Sequence, residues 1–321
     1  LPVCVAPGQL SSLLSDAIAA TKGAPIDASQ WEQGRYLPTP TIVEAAQGAG
    51  LTVLLDAVTA AGLGNALLNA DAITVFAPTN DAFVQFLSNN NFESLDEVPL
   101  DVLRQVLLNH IVTGTNMSSD LSTGYVKTLA KGSASSTNTL SMYVNTSSGV
   151  RLNGVANVIS ADVMASNGVV HVVDAVIGLP TVVTHALANP NFTSLVGALT
   201  SEGQPDFVGI LSGTANSPFT VFAPSNDAFA TFESQNPGTI ASLTPSQLTA
   251  VLSYHVVAGA NVLSNAIPRG PITTFESGTF SITGTTITDE VARQTNIVAV
   301  DVQAANGVIH VIDNVILPDL D

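Results

Sequence analysis

Four histidines mark the chemistry this sequence could perform. His110, His171, His255 and His310 fall into two pairs with carboxylates nearby in the chain. Imidazole beside carboxylate is the material of general-base hydrolysis or of a metal-dependent enzyme. The spacing points elsewhere. Leu103, Val106, Leu107 and His110 fall at i, i+3, i+4 and i+7 of a helix, and Leu248, Val251, Leu252 and His255 repeat the pattern. Each of these histidines therefore rides on an apolar stripe. The expected role is a buried imidazole bonded to a backbone group, with ligand or metal contact as the alternative. His171 and His310 alternate with valines and isoleucines in strands, just after the turn residues Asn167-Gly168 and Asn306-Gly307. Paired histidines with no cysteine or acidic cluster beside them make a poor metal site, so neither a metal nor a cofactor is expected. The patterns G-x-S-x-G, H-E-x-x-H, C-x-x-C, P-loop and G-x-G-x-x-G do not occur, and a protein that is not an enzyme is expected.

What positions these residues is a duplication. TVFAPTNDAF at Thr74–Phe83 returns as TVFAPSNDAF at Thr220–Phe229, changed only where Ser225 replaces Thr79. LRQVLLNHIVTG answers LTAVLSYHVVAG, NVISAD answers NIVAVD, and NGVVHVVD answers NGVIHVID, in the same order. Two units of about 140 residues are each large enough to bury a core without disulfides or metals. The expected division is an N-terminal helical extension over 1–36, a first unit over 37–180 and a second over 181–321. Leu10, Leu13, Leu14, Ala17 and Ile18 give the extension its helical stripe. Hardly a linker separates Pro180 from the helical pattern at Val183 and Leu187, so the units are expected to pack closely.

Within each copy, Thr-Val-Phe-Ala reads as a strand that the proline ends. Thr79 or Asn80, and Ser225 in the second copy, can cap the helix that follows. Asp81 and Asp227 sit in its first turn, where the helix dipole favours a carboxylate. The segments LSMYV, VRLNGVANVI, FSITGTTIT and NIVAV are β in character, with Asn153-Gly154 as a hairpin turn. The order of helices, strand, helix, helix and then several strands is α+β.

The formal charge is −17, yet only 10% of residues are charged. Eight basic residues cannot neutralise a phosphate backbone or an anionic bilayer, which argues against nucleic acid and membrane surfaces. Divalent cations and basic proteins remain compatible with the charge. The apolar run Gly168–Ala188 is broken by Asp174, Pro180 and two histidines, so no transmembrane segment is expected. The single cysteine, Cys4, cannot form an intramolecular disulfide; it is either a lipid-attachment site or a small apolar residue near the terminus. The sequons at Asn116, Asn145 and Asn191 matter only in an organism that glycosylates secreted proteins.

The two decapeptides, the Tyr254-His255 pair and the NGVxHVxD segments together resemble the fasciclin (FAS1) family over roughly residues 37–321. The resemblance implies tandem FAS1-like domains, each a sandwich or wedge of two sheets flanked by helices. It also implies a non-catalytic protein, secreted or on the cell surface (periplasmic or on the outer surface if bacterial). Such a protein would act in adhesion through an extracellular protein, a glycan or a homophilic partner. Carriers of a carotenoid or lipid among algal relatives supply an alternative. TITDEVARQTNIVAVDVQAANGVIHVID is similar to bacterial members. Partner binding carried over from the family's Tyr-His motif falls on Tyr254 and His255. The first copy departs from that motif with Asn109-His110. The loops Thr113–Leu121 and Ala258–Ile267 are candidate contact regions.

Overall fold

The computed structural model describes residues 39–320; the helix expected over Leu10–Ile18, and Cys4, lie outside them. Two copies of one architecture follow. In the first, helices Ile42–Gly48, Thr52–Ala60 and Gly64–Leu68 precede strand β1 (Ile73–Pro78), and helices Asn80–Asn89 and Leu100–Leu108 come next. Strands β2 (Ile111–Thr113), β3 (Gly124–Gly132), β4 (Ser135–Asn145), β5 (Arg151–Leu152), β6 (Ala156–Ala165) and β7 (Gly168–Val173) complete it.

The second copy repeats this with helices Val182–Ala188, Thr193–Leu199 and Phe207–Ser212, β8 (Phe219–Pro224), and helices Asn226–Gln235 and Pro245–Tyr254. Its remaining strands are β9 (Val256–Ala258), β10 (Pro271–Thr273), β11 (Thr279–Thr283), β12 (Thr286–Thr288), β13 (Gln294–Ala304) and β14 (Gly307–Ile312). The α+β reading of two sheet wedges with helices holds.

The helix carrying His110 stops at Leu108, and Ile111–Thr113 is already a strand. His110 therefore lies just past the helix end, and the stripe it continues is the buried side of a chain reversal.

The repeated strands lie side by side at each centre. β1 runs parallel to β7 with Phe76 opposite His171, and β8 runs parallel to β14 with Phe222 opposite His310. The long strands β6 and β13 serve both layers of their wedges. Each shifts register twice against its neighbour, around Asp162 and Asp301, whose φ angles are 62° and 61°. Such bulges bend a strand and let it pass from one layer to the other.

In the first copy, the Val112–Thr128 pairing joins β2 to β3 and closes seven strands into a ring. In the second the seven strands form an open sheet; there the Phe275 N–H to Val256 O bond (2.6 Å) ties the strand β9 to the chain beyond β10.

Each unit has a core between its layers and another beneath its helices. Phe76, Met142, Val144, Leu152 and Ile177 fill the first inter-layer core; Phe222, Tyr254, Phe280, Ile287 and Ile312 fill the second. Phe76 stacks on His171 at 5.5 Å and Phe222 on His310 at 5.4 Å, so the duplicated phenylalanines have matching surroundings.

The two copies also touch. The tip of the β3–β4 hairpin meets the end of β13, where the Ala134 N–H donates to Ala305 O (2.9 Å) and the Ala305 N–H to Pro180 O (2.7 Å). Lys127 donates to Asp301 O (2.8 Å) and Ser141 Oγ (3.0 Å), and that same Ser141 Oγ accepts from the Gln303 N–H (3.0 Å). A Cβ on Gly132 would lie 2.3 Å from Ala305 Cα, closer than any side chain allows. Gly132→Ala is therefore expected to push the copies apart and leave both cores intact. The check is a larger radius in X-ray scattering with an unchanged circular dichroism spectrum; an unchanged radius would contradict it.

Candidate functional site

The repeated polar residues were the candidates for chemistry, and nearly all of them are occupied in holding the chain. His110 and His255 are fully enclosed. The Val106 and Val251 carbonyls accept from Nδ1, each at 2.7 Å, and Nε2 accepts the Ile177 N–H (2.9 Å) and the Ile316 N–H (3.2 Å). Accepting an N–H at Nε2 fixes the proton on Nδ1, so each ring is neutral and has no lone pair to spare. Burial pulls both imidazoles down to about 4 against the backbone bond, which opposes the shift.

His171 and His310 have a different task. His171 Nε2 donates to Asn116 O (2.9 Å) and its Nδ1 accepts the Asp162 N–H (3.2 Å). His310 Nε2 donates to Val262 O (2.8 Å), while its Nδ1 is buried without a partner. Burial lowers the His310 pKa, against its bond to Val262. The Asp162 carboxylate takes the Ser118 N–H (2.7 Å) and hydroxyl (2.6 Å), and these bonds hold its pKa down; the Asp301 carboxylate accepts the Ser264 N–H and hydroxyl in the same way. Thr74 and Thr220 complete each set, donating to Gly114 O and Ala260 O and accepting from the Asn116 and Val262 N–H groups.

Three repeated side chains per copy thus hold one loop, 113–121 in the first and 258–267 in the second. The two loops share a glycine, an asparagine and the anchored serine and differ at their other positions, TGTNMSSDL against AGANVLSNAI. Thr115, Ser119 and Asp120 are exposed on one loop, and Gly259, Asn265 and Ala266 on the other.

The other candidates are structural by position. Thr79 and Ser225 cap their helices by accepting the Ala82 and Ala228 N–H groups, each at 3.2 Å, which settles the choice between Thr79 and Asn80. Asp81 and Asp227 are exposed in the first turns. Asn80 and Asn226 have a role that local sequence does not show. Their side-chain oxygens accept the Val53 and Ser194 N–H groups, capping from outside two helices that lack caps of their own. Asn167 and Asn306 accept from the Ile42 and Val182 N–H groups and donate to Leu67 O and Leu211 O, joining the first helix of each copy to the third.

Tyr254 is enclosed, its hydroxyl donating to Thr279 O (2.7 Å) and accepting the Glu290 N–H (3.1 Å); burial raises its pKa well above the usual phenol range. Asn109, in the matching place, donates to Gly178 O (3.0 Å) and accepts from Thr128 Oγ1 (3.2 Å). The structure therefore keeps Asn109, His110, Tyr254 and His255 inside, where a partner at the surface meets only what they anchor.

Among the sequons, Asn191 is exposed and Asn145 half-buried. The Asn116 amide is already committed to Thr74 Oγ1, Thr113 O and Gly114 O.

Among the described residues, no three His, Cys, Asp or Glu side chains converge as a metal site. Apolar crevices lie beneath the helices of each copy, lined by Val183, Leu187 and Leu199 in one and by Val43, Leu55 and Leu63 in the other. Their volumes are about 40 and 30 Å³. A carotenoid or lipid needs a pocket of roughly 300 Å³ or more, so neither crevice holds one in this conformation.

The repeated polar residues of this duplicated scaffold anchor one loop in each copy. The chain belongs to the fasciclin domain family, whose model matches it twice, at residues 49–180 and 190–318. It is similar to the "Uncharacterized protein sll1735" of Synechocystis sp., 36% identical over 141 residues. That match takes 43% of this chain and 98% of the relative, so one copy accounts for nearly all of that protein. Periostin of Homo sapiens is 28% identical over 256 residues, covering 77% of this chain and 28% of periostin. A solved FAS1 domain pair from the insect cell adhesion molecule fasciclin I aligns at a TM-score of 0.46 and 22% identity, over 87% of this chain and 95% of that one. Among the described residues no helix is long and apolar enough to cross a membrane.

Proposed function

We propose that the chain is a non-catalytic adhesion protein, working outside the cell or at its surface, and that loops 113–121 and 258–267 carry the contact. The supporting observation is the division of labour within the repeat. Residues kept in both copies anchor the loops, and the exposed pairs Ser119/Asn265 and Asp120/Ala266 are among the positions that differ. Recognition is usually placed on such loops, because a rigid scaffold reduces the ordering cost of binding. Family membership is consistent with this reading, as are four imidazoles that are enclosed or spent on backbone groups. The partner is an extracellular protein, a glycan or a second copy.

The test is binding of the purified protein to matrix proteins, to a glycan array and to itself. Arg placed at Thr115, Ser119 and Asn265 is expected to weaken whichever contact is found by about tenfold or more, with the fold unchanged. No binding to any of the three at high micromolar concentration would count against adhesion. Binding indifferent to the three substitutions would move the contact off these loops.

A further inference from the structure

His185 stands apart from the other histidines because nothing in the duplication accounts for it. Its helix matches Ile42–Gly48, both being capped by a threonine, and Ala45 occupies its place in the first copy. The imidazole is fully enclosed where the two copies meet, edge-on to Tyr125 of β3 at 5.4 Å. Tyr125 packs in turn on Tyr143 of β4 at 5.0 Å and accepts from Asn189 Nδ2 at 3.3 Å. Neither His185 ring nitrogen reaches full hydrogen-bond geometry with a described residue; the Gln303 backbone lies close enough to favour the protonated ring, against the larger effect of burial. An enclosed imidazole with no acid beside it is favoured there in its neutral form.

The surrounding charge sharpens the point. Lys127 as a whole is exposed, but its ammonium is drawn to Asp301 O and Ser141 Oγ across the contact. Burial lowers its pKa, and the Asp301 carboxylate opposes that. It also acts on His185 as a like charge. The titratable groups on the elements packed around His185 are Tyr125, Lys127 and Lys131 on β3, Tyr143 on β4, Asp301 on β13 and His310 on β14. Helices Thr193–Leu199 and Phe207–Ser212 contribute none. The Asp301 carboxylate is committed to Ser264. No acid on these elements pairs with His185.

We infer that the contact between the two copies is a proton-sensitive joint: it holds while His185 is neutral and is released when His185 takes up a proton. Burial keeps the His185 pKa at about 4 in the closed joint, against 6.5 for the free side chain. The closed state therefore has its full strength above pH 6.5 and loses it as the pH falls toward 4, by about tenfold per unit. This is a property separate from adhesion, and it stands or falls without the loop reading.

Hydrogen exchange of the Ala134 and Ala305 amides, both bonded across the contact, reads the joint directly. Between pH 6.5 and 5.5 their protection factors are expected to fall about fivefold in the 321-residue chain. Core amides of the first copy, such as that of Phe76, follow His110 and should fall alike in the wild type and in His185→Ala. In His185→Ala, which restores the residue of the first copy, the fall at the contact amides should vanish. If that variant is unprotected even at pH 7, Lys127→Met decides. Removing the like charge lets the closed joint take up its proton at higher pH, so the fall should level off sooner and be smaller in total, and a fall of unchanged extent would overturn the proposal. It is also overturned if the protection of the contact amides does not change with pH, or if His185→Ala keeps their dependence.

Discussion

Acidification from pH 7 toward 4 is expected to unfold the second copy before the first. His110 clips the end of one helix to the Ile177 N–H, and His255 does the same for the Ile316 N–H. Both are held neutral, near 4 in the folded protein against 6.5 in the free side chain. Because the folded pKa is depressed, the stability each clip contributes is complete above pH 6.5. It is lost as protons bind the unfolded chain, down to about pH 4. A shift of that size is worth about 3 kcal/mol per clip, a large share of the 5–15 kcal/mol that holds an ordinary domain together. In the first copy the lowered imidazole is that of His110. The second has His255 and adds His310, also lowered by burial, and so loses more over the same range. Urea unfolding at half-unit steps of pH, followed by circular dichroism and by proteolysis to map which copy opens, would show two transitions separating as the pH falls. His255→Gln should cost about 2–3 kcal/mol at pH 7 and flatten the dependence of the second transition, because the clip and its titration go together. Stability level between pH 7 and 4.5 would refute the account. Carboxylates such as Asp162, whose pKa is lowered, act only below that window.

The second large effect comes from one hydrogen atom. Gly168 opens β7 with φ at 153°, and a Cβ there would lie 1.9 Å from Ile73 O on β1. Backbone cannot retreat as a side chain can, so Gly168→Ala must break the parallel pairing at its first rung or distort the Asn167 turn. That turn holds Ile42 and Leu67. Gly307→Ala meets Phe219 O at 2.2 Å in the same place. Each substitution is expected to cost about 3 kcal/mol or more, and to lower the urea midpoint of its own copy while largely sparing the other. Gly178→Ala, with nothing within 4 Å of the added carbon, is the control and should stay within about 0.5 kcal/mol of wild type. A Gly168→Ala midpoint equal to that of the control would mean the strands are not in this register.

Much of this was legible in the chain. Ser225 in place of Thr79 kept a side-chain oxygen, which pointed to a cap, and the cap is there. Histidines on apolar stripes pointed to enclosed imidazoles bonded to backbone, and they are. What stayed hidden was long-range. Asn80 looks like a second capping candidate, but its partner Val53 is 27 residues away, on a helix whose own start gives no sign of needing help. The helical period ran through Asn109 and His110 because a side chain packing inward at a chain reversal fits the same spacing as one on a helix. Strand β3 was missed because half of it faces the other copy or solvent, so its residues lack the alternation of a strand buried on one face. His185 was passed over for the opposite reason to the others, since a residue present in one copy alone leaves no echo to notice.

The β3–β4 hairpin has a counterpart in β10 and β11, but those strands are three and five residues long where β3 and β4 are nine and eleven. They pair Pro271 with Ser281 where the first copy pairs Tyr125 with Tyr143. On the receiving side, His185 and Gln303 likewise have no match in the first copy. The halves have become plug and socket. Exchanging their order, or stringing two first halves together, would preserve every fold and lose the fit between them.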